Sequence, residues 1–149
     1  MPEQPSAGRA VVFSSSEAES IQSRLSRAGY EPVHAAGAGY KILSVIDGLA
    51  CAFVLTKGSC FKWDTCAPHA ALLAQGGGIV DFKKAFDKVN GHYTTTEELK
   101  SMLAGECQLV YNEGNEGGEE RGVEKWSNEG GIVAYRNVDV LIDVLRKLQ

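Results

Sequence analysis

Short apolar runs alternate with amphipathic stretches along this chain. Ala10-Val11-Val12-Phe13 reads as a buried strand, and Leu49 to Thr56 as a continuous apolar strand suited to a sheet covered on both faces. Tyr30 to His34 reads as a short strand that Pro32 pushes to a sheet edge. Ile79 to Phe82, Gln108 to Tyr111 and Ile132 to Tyr135 read as further strands. Ser16 and Glu19 form a candidate capping box before a helix that carries Ile21 and Leu25 on one face and stops at Gly29. A second helix runs from about Tyr40 to Ile46 and closes near Gly48. A third is capped by Asp64 or Thr65, has Pro68 in its first turn and ends at Gly76-Gly77-Gly78. A fourth runs from Thr95 or Thr96 to about Ala104. The last, Val138 to Leu148 with Asn137 as cap, places Leu141, Ile142, Leu145 and Leu148 on one face. Residues 83–107 give no clear pattern apart from that fourth helix. Asn112 to Gly122, rich in glycine and glutamate, reads as a mobile, solvated loop. The alternation of strands and helices predicts an α/β fold, with residues 1–8 as a frayed tail and 9–149 as one domain.

Composition adds little to that picture and excludes some partners. With 149 residues, 44% apolar and 23% charged, the chain has the makeup of a soluble domain. Its net charge of -4 gives no electrostatic reason to expect nucleic acid. The longest apolar stretch, Ile42 to Leu55, is interrupted by Asp47 and Gly48 and is too short to span a bilayer, so no membrane partner is expected. Cys51, Cys60, Cys66 and Cys107 form no C-x-x-C pair, and reduced thiols in a cytoplasmic protein are the expectation.

The candidate chemistry sits in two corners. In Phe61-Lys62-Trp63-Asp64-Thr65-Cys66-Ala67-Pro68-His69-Ala70, a carboxylate stands at a helix start. Asp64 there is either a ligand for a hard metal ion beside exposed helix N–H groups or a plain helix cap. In Gly37-Ala38-Gly39-Tyr40-Lys41, small residues open a helix and let backbone N–H groups approach an anion, with Lys41 as an added point charge. The same pattern also describes a tight turn with a solvated lysine. Neither nucleotide-binding glycine motif is present. Lys57 and Lys62 flank the Asp64 corner, and His69 lies one turn beyond it. Each is a candidate pocket residue or an ordinary surface or core residue. There is no G-x-S-x-G elbow.

Taken together, these segments resemble the C-terminal half of the lithium-sensitive, magnesium-dependent phosphatases. Gly37-Ala38-Gly39-Tyr40-Lys41, the Trp63-Asp64 run, Gly76-Gly77-Gly78-Ile79-Val80-Asp81, Gln108-Leu109-Val110-Tyr111 and Gly130-Gly131-Ile132-Val133-Ala134-Tyr135-Arg136 occur in that family's order. The later segments narrow the likeness toward the branch acting on inositol polyphosphates, with bisphosphate nucleotidases as a sister branch. The resemblance implies half of a layered α/β sandwich and phosphomonoester hydrolysis with Mg2+. It makes Asp64 a metal ligand, and Gly37, Ala38, Gly39, Lys41, Lys57, Thr65 and His69 substrate-binding residues. Lys57 departs from the family pattern, where a monophosphatase carries glutamate. The first metal motif, D-P-[IL]-D-[GS]-T, does not occur in this chain. Three expectations follow: the chain alone is inactive or a non-catalytic binding half; it exposes an apolar sheet edge or face; and it needs a partner half or a second copy.

Overall fold

In the computed structural model, residues 8–91 and 95–149 are described, so the expected tail lies outside the described residues but for Gly8. The strands are β1 (Ala10–Phe13), β2 (Glu31–His34), β3 (Ala52–Leu55), β4 (Gly78–Asp81) and β5 (Ile132–Tyr135). The helices are α1 (Glu19–Arg27), α2 (Ala38–Ile46), α3 (Lys62–Ala74), α4 (Phe82–Val89), α5 (Thr96–Ala104) and α6 (Val138–Lys147). The strands form one sheet in the order β2-β1-β3-β5-β4. β1 pairs in parallel with both β2 and β3. β5 runs antiparallel between β3 and β4, so β4 points the same way as β3.

Alternate strand residues face opposite layers. Val11, Phe13, Val54, Val80 and Val133 pack with Leu25, Ala85, Leu103 and Leu141 beneath α1, α4, α5 and α6. Val12, Phe53, Leu55, Ile79 and Ile132 pack with Ile42, Val45 and Leu72 beneath α2 and α3. The result is a helix–sheet–helix sandwich, the α/β class expected from the pattern.

Both faces of the sheet are therefore covered, contrary to the expected exposed apolar face. Its edges are managed as well. β2 carries Pro32 at the outer edge, as predicted, with Glu31 and His34 exposed. Along β4, Asp81 N donates to Cys107 O at 2.8 Å and Leu109 N to Ile79 O at 3.0 Å. Apolar exposure lies instead at Tyr40, Leu43, Trp63 and Leu73 on α2 and α3, and at Leu49, Val110 and Val123.

Several local expectations give way to packing. Gln108 to Tyr111 is not a strand, because its pairing with β4 is a single bridge at Gln108 and Val110 turns outward. The α1 cap is Ala18 without a side-chain bond, since the Ser16 hydroxyl bonds Ser14 instead. α4, absent from the pattern, starts because the Asp81 carboxylate accepts from Lys84 N at 2.9 Å. The Asn112 to Gly122 region is partly structured: one 3-10 segment, Gly118–Trp126, is kinked at Gly122, and the Asn115 amide donates to Ser127 O at 2.8 Å. α5 has the full Thr95–Glu98 capping box, and Asn137 caps α6 through Asp139 N.

Candidate functional site

The strand order reverses at β1. The chain leaves β1 through α1 on one face of the sheet to reach β2, then returns through α2 to β3 on the other side of β1. Loops from the carboxyl ends of β1 and β3 thus lead to opposite faces, and such a crevice is where open α/β sheets bind ligands. Residues 14–18, 35–37 and 56–61 all lie at this edge of the sheet.

Asp64 sits at the third position of α3, not at its cap; the cap is Phe61. One carboxylate oxygen, Oδ2, accepts from Phe61 N at 2.9 Å. Phenylalanine has no side-chain acceptor, so only this half of a capping box exists. The other oxygen has no hydrogen-bond donor among the described residues. Pro68 lies in the second turn, where its missing N–H leaves the Asp64 carbonyl without an i+4 partner. Among the described residues, no group of three or more His, Cys, Asp or Glu side chains converges there. Asp64 therefore fits a hard cation as one oxygen ligand, with the remaining ligands to come from outside this group.

Gly37 caps α2 with φ +83°, a conformation that glycine adopts freely, and an added Cβ would meet nothing within 4 Å. Ala38 and Gly39 form the first turn. Lys41 is only 7% exposed, with Nζ 5.3 Å over the Phe53 ring. No carboxylate comes within ion-pair distance of it among the described residues, and burial lowers its pKa. Burial raises the Cys60 thiol pKa, with a smaller opposing effect from its bond to Asn128. Lys57 Nζ donates to Ser16 O at 2.7 Å across the crevice.

Thr65 and His69 point inward. Thr65 is fully buried, and its hydroxyl donates to Lys62 O at 3.2 Å. His69 is 3% exposed; Nδ1 lies 2.7 Å from the Tyr111 hydroxyl and Nε2 lies 2.7 Å from Gln108 Oε1. Gln108 Nε2 donates to Leu103 O and to the Tyr135 hydroxyl, so its oxygen faces the histidine. The network thereby assigns the proton to Nε2, and Nδ1 accepts from Tyr111. Burial lowers the His69 pKa, opposed by the Gln108 bond. Burial also pushes the Tyr111 hydroxyl up to about 12.

Lys62 faces elsewhere. It donates to Val110 O at 2.8 Å and Glu113 O at 2.9 Å, and it lines a cavity of about 470 Å³ with Asp81, Lys83, Lys84 and Asn128. That cavity contains none of the predicted substrate residues. The structure also shows a residue that sequence reasoning passed over: Glu17, 5% exposed, whose carboxylate accepts from Thr56. Its only sequence signal is a glutamate in the turn after a fully apolar strand.

A family pattern described as the inositol monophosphatase family matches residues 3–112. The inositol polyphosphate 1-phosphatase of Bos taurus is 44% identical over 139 residues, which is 93% of this chain and 32% of that protein. The Homo sapiens inositol polyphosphate 1-phosphatase is 44% identical over 128 residues, 85% of this chain and 29% of its own length. A Rattus norvegicus 3'(2'),5'-bisphosphate nucleotidase 1 is 47% identical over 69 residues, covering 44% of this chain and 22% of the nucleotidase. The chain thus spans about a third of the length of the inositol polyphosphate relatives it matches. With the match running through the parallel strands, the Gly37 turn and the Asp64 helix, the chain belongs to the inositol monophosphatase family.

Proposed function

We propose that this chain carries the substrate-binding and second-metal half of a phosphatase that removes the 1-phosphate from inositol polyphosphates. The observation that carries this reading is the extent of similarity. Inositol polyphosphate 1-phosphatases match 85–93% of the chain, whereas the Rattus norvegicus nucleotidase matches 44%. In this reading residues 9–149 act as one unit in the cytoplasm, and the activity is sensitive to lithium.

Asp64 holds Mg2+ through the carboxylate oxygen that Phe61 N does not bond. When bound, the metal supplies electrostatic stabilisation of the phosphoryl oxygens. The chain's own residues do the rest of the binding. Gly37, Ala38 and Gly39 present backbone to the substrate ring, and Lys41 and Lys57 meet additional phosphate charge. Lys41 suits this role because a poorly hydrated ammonium without a carboxylate partner gains most from an arriving anion. Thr65 and His69 act from behind. Their bonds to Lys62 O, Tyr111 and Gln108 hold the start of α3, and so the Asp64 carboxylate, in place.

One carboxylate cannot assemble a multi-metal site. The complete activity therefore requires further ligands from beyond the residues of this sequence, and the exposed apolar residues of α2 and α3 offer a surface for a partner half or a second copy. The purified chain is expected to release negligible phosphate from inositol 1,4-bisphosphate. Magnesium-dependent release abolished by Asp64→Asn would show instead that the chain is catalytic by itself. Competition between inositol 1,4-bisphosphate and adenosine 3',5'-bisphosphate for the chain decides between the two substrate classes. Preferential nucleotide binding would move it to the nucleotidase branch, and binding of neither ligand would leave a non-catalytic half-domain.

A further inference from the structure

We propose that Glu17 is a positioning residue that locks the crevice between β1 and β3 and holds Lys57 at the ligand edge. This rests on the reading of Lys57 given above. The carboxylate of Glu17 crosses from the β1–α1 turn to the end of β3. There it accepts from Thr56 N at 3.0 Å and from the Thr56 hydroxyl. It also accepts from Ala18 N at 3.3 Å, at the start of α1. In return, Lys57 reaches from the β3 side and donates to Ser16 O at 2.7 Å. Consecutive residues on each loop thus grip consecutive residues on the other. The turn itself is stiffened by Glu17 N donating to Ser14 O at 3.0 Å.

A buried carboxylate is costly unless its oxygens are bonded, and here the donors come from both loops. The β1–β3 ladder brings the two loops side by side as far as Phe13 and Val54, and beyond it they lead to opposite faces of the sheet, so these bonds continue the grip past the end of the ladder. Thr56 and Lys57 also begin the 56–61 segment that delivers Asp64 at the start of α3. Fixing Thr56 therefore sets where the Lys57 ammonium stands before any ligand arrives. That prearrangement removes the ordering cost of a long flexible side chain from the binding step.

The test uses the full chain and the variants Glu17→Gln, Thr56→Val and Lys57→Met. In Glu17→Gln the new NH2 opposes Ala18 N–H or Thr56 N–H, so the clamp loosens without a change of volume. Amide hydrogen exchange is expected to rise about tenfold from Thr56 to Asp64, with Val11–Phe13 and Phe53–Val54 unchanged. Thr56→Val removes only the hydroxyl half and should give a smaller rise, which keeps the test open if Glu17→Gln does not fold. Titration with inositol 1,4-bisphosphate in millimolar magnesium should show binding weakened about tenfold by Glu17→Gln, but unchanged by it on a Lys57→Met background. Unchanged exchange over residues 56–64, or equal weakening on both backgrounds, would overturn the proposal. If the unmodified chain binds no bisphosphate, the substrate reading fails and the role assigned through Lys57 falls with it; the exchange result then shows separately whether the clamp exists.

Discussion

Replacing Asp64 separates its structural work from its work on a cation. In Asp64→Ala the bond from Phe61 N at 2.9 Å disappears, leaving a helix-start donor without its partner. Loss of such a capping bond costs about 1 kcal/mol. The carboxylate also faces the positive end of the 13-residue α3, which adds about 0.5 kcal/mol for a half-exposed group. For a domain of this size the sum, about 1.5 kcal/mol, lowers Tm by roughly 3–6 °C. Asp64→Asn keeps an oxygen that can accept from Phe61 N and loses only the charge term, so its Tm should fall by about 1–2 °C. Its new NH2 group, however, takes the place of the other oxygen and opposes a cation. The assay is thermal unfolding followed by circular dichroism, in chelator and in millimolar magnesium, with magnesium binding by calorimetry. Asn should stay within about 1–2 °C of the parent in chelator and, like the alanine variant, should gain no stability from magnesium. A Tm loss in Asn as large as in Ala would refute the capping argument. Undiminished magnesium binding by Asn would refute the ligand role.

Lys41→Met should raise Tm by about 2–4 °C, because it removes a buried ammonium without a carboxylate partner while keeping its volume against Phe53. The same variant should lose binding of inositol 1,4-bisphosphate; an unchanged or lower Tm would show that the ammonium is well compensated. His69 predicts a pH dependence. Its folded pKa lies below the unfolded value, so the unfolded chain takes up the proton first as pH falls. The stability from burying a neutral imidazole is present above about pH 6.5 and declines as pH falls from there toward the lower folded value. His69→Gln should have a lower Tm at pH 8 and a flatter Tm profile below pH 6.5. A profile parallel to the parent's would exclude His69 as its source.

The candidate site was legible where local chemistry is distinctive. Gly37 stands at φ +83°, as its small-residue turn suggested, and Trp63-Asp64 stands at a helix start. What misled was position within that start. Asp64 and Thr65 both read as caps from the local pattern, but the backbone path out of the 56–61 loop makes Phe61 the cap. Thr65 and His69 look alike as helix residues near a carboxylate. Only the packing of α3 against Gln108 and Tyr111 turns them inward. Glu17 was passed over because its partner, Thr56, is 39 residues away and no local pattern joins them.

The sequence by itself determined the five strands of the sheet, most of the helices and the edge position of β2. Apolar runs, Pro32 and the glycine stops act over a few residues and constrain the backbone directly. It also read Gln108 to Tyr111 as a strand, because a β-prone run does not reveal how many ladder bonds it will make. Only the tertiary structure decided that, along with the reversed β5, the covered sheet faces and the bonds across the β1–β3 crevice. Each of these depends on which distant groups meet, and so on the sum of burial and hydrogen bonding over the whole sandwich.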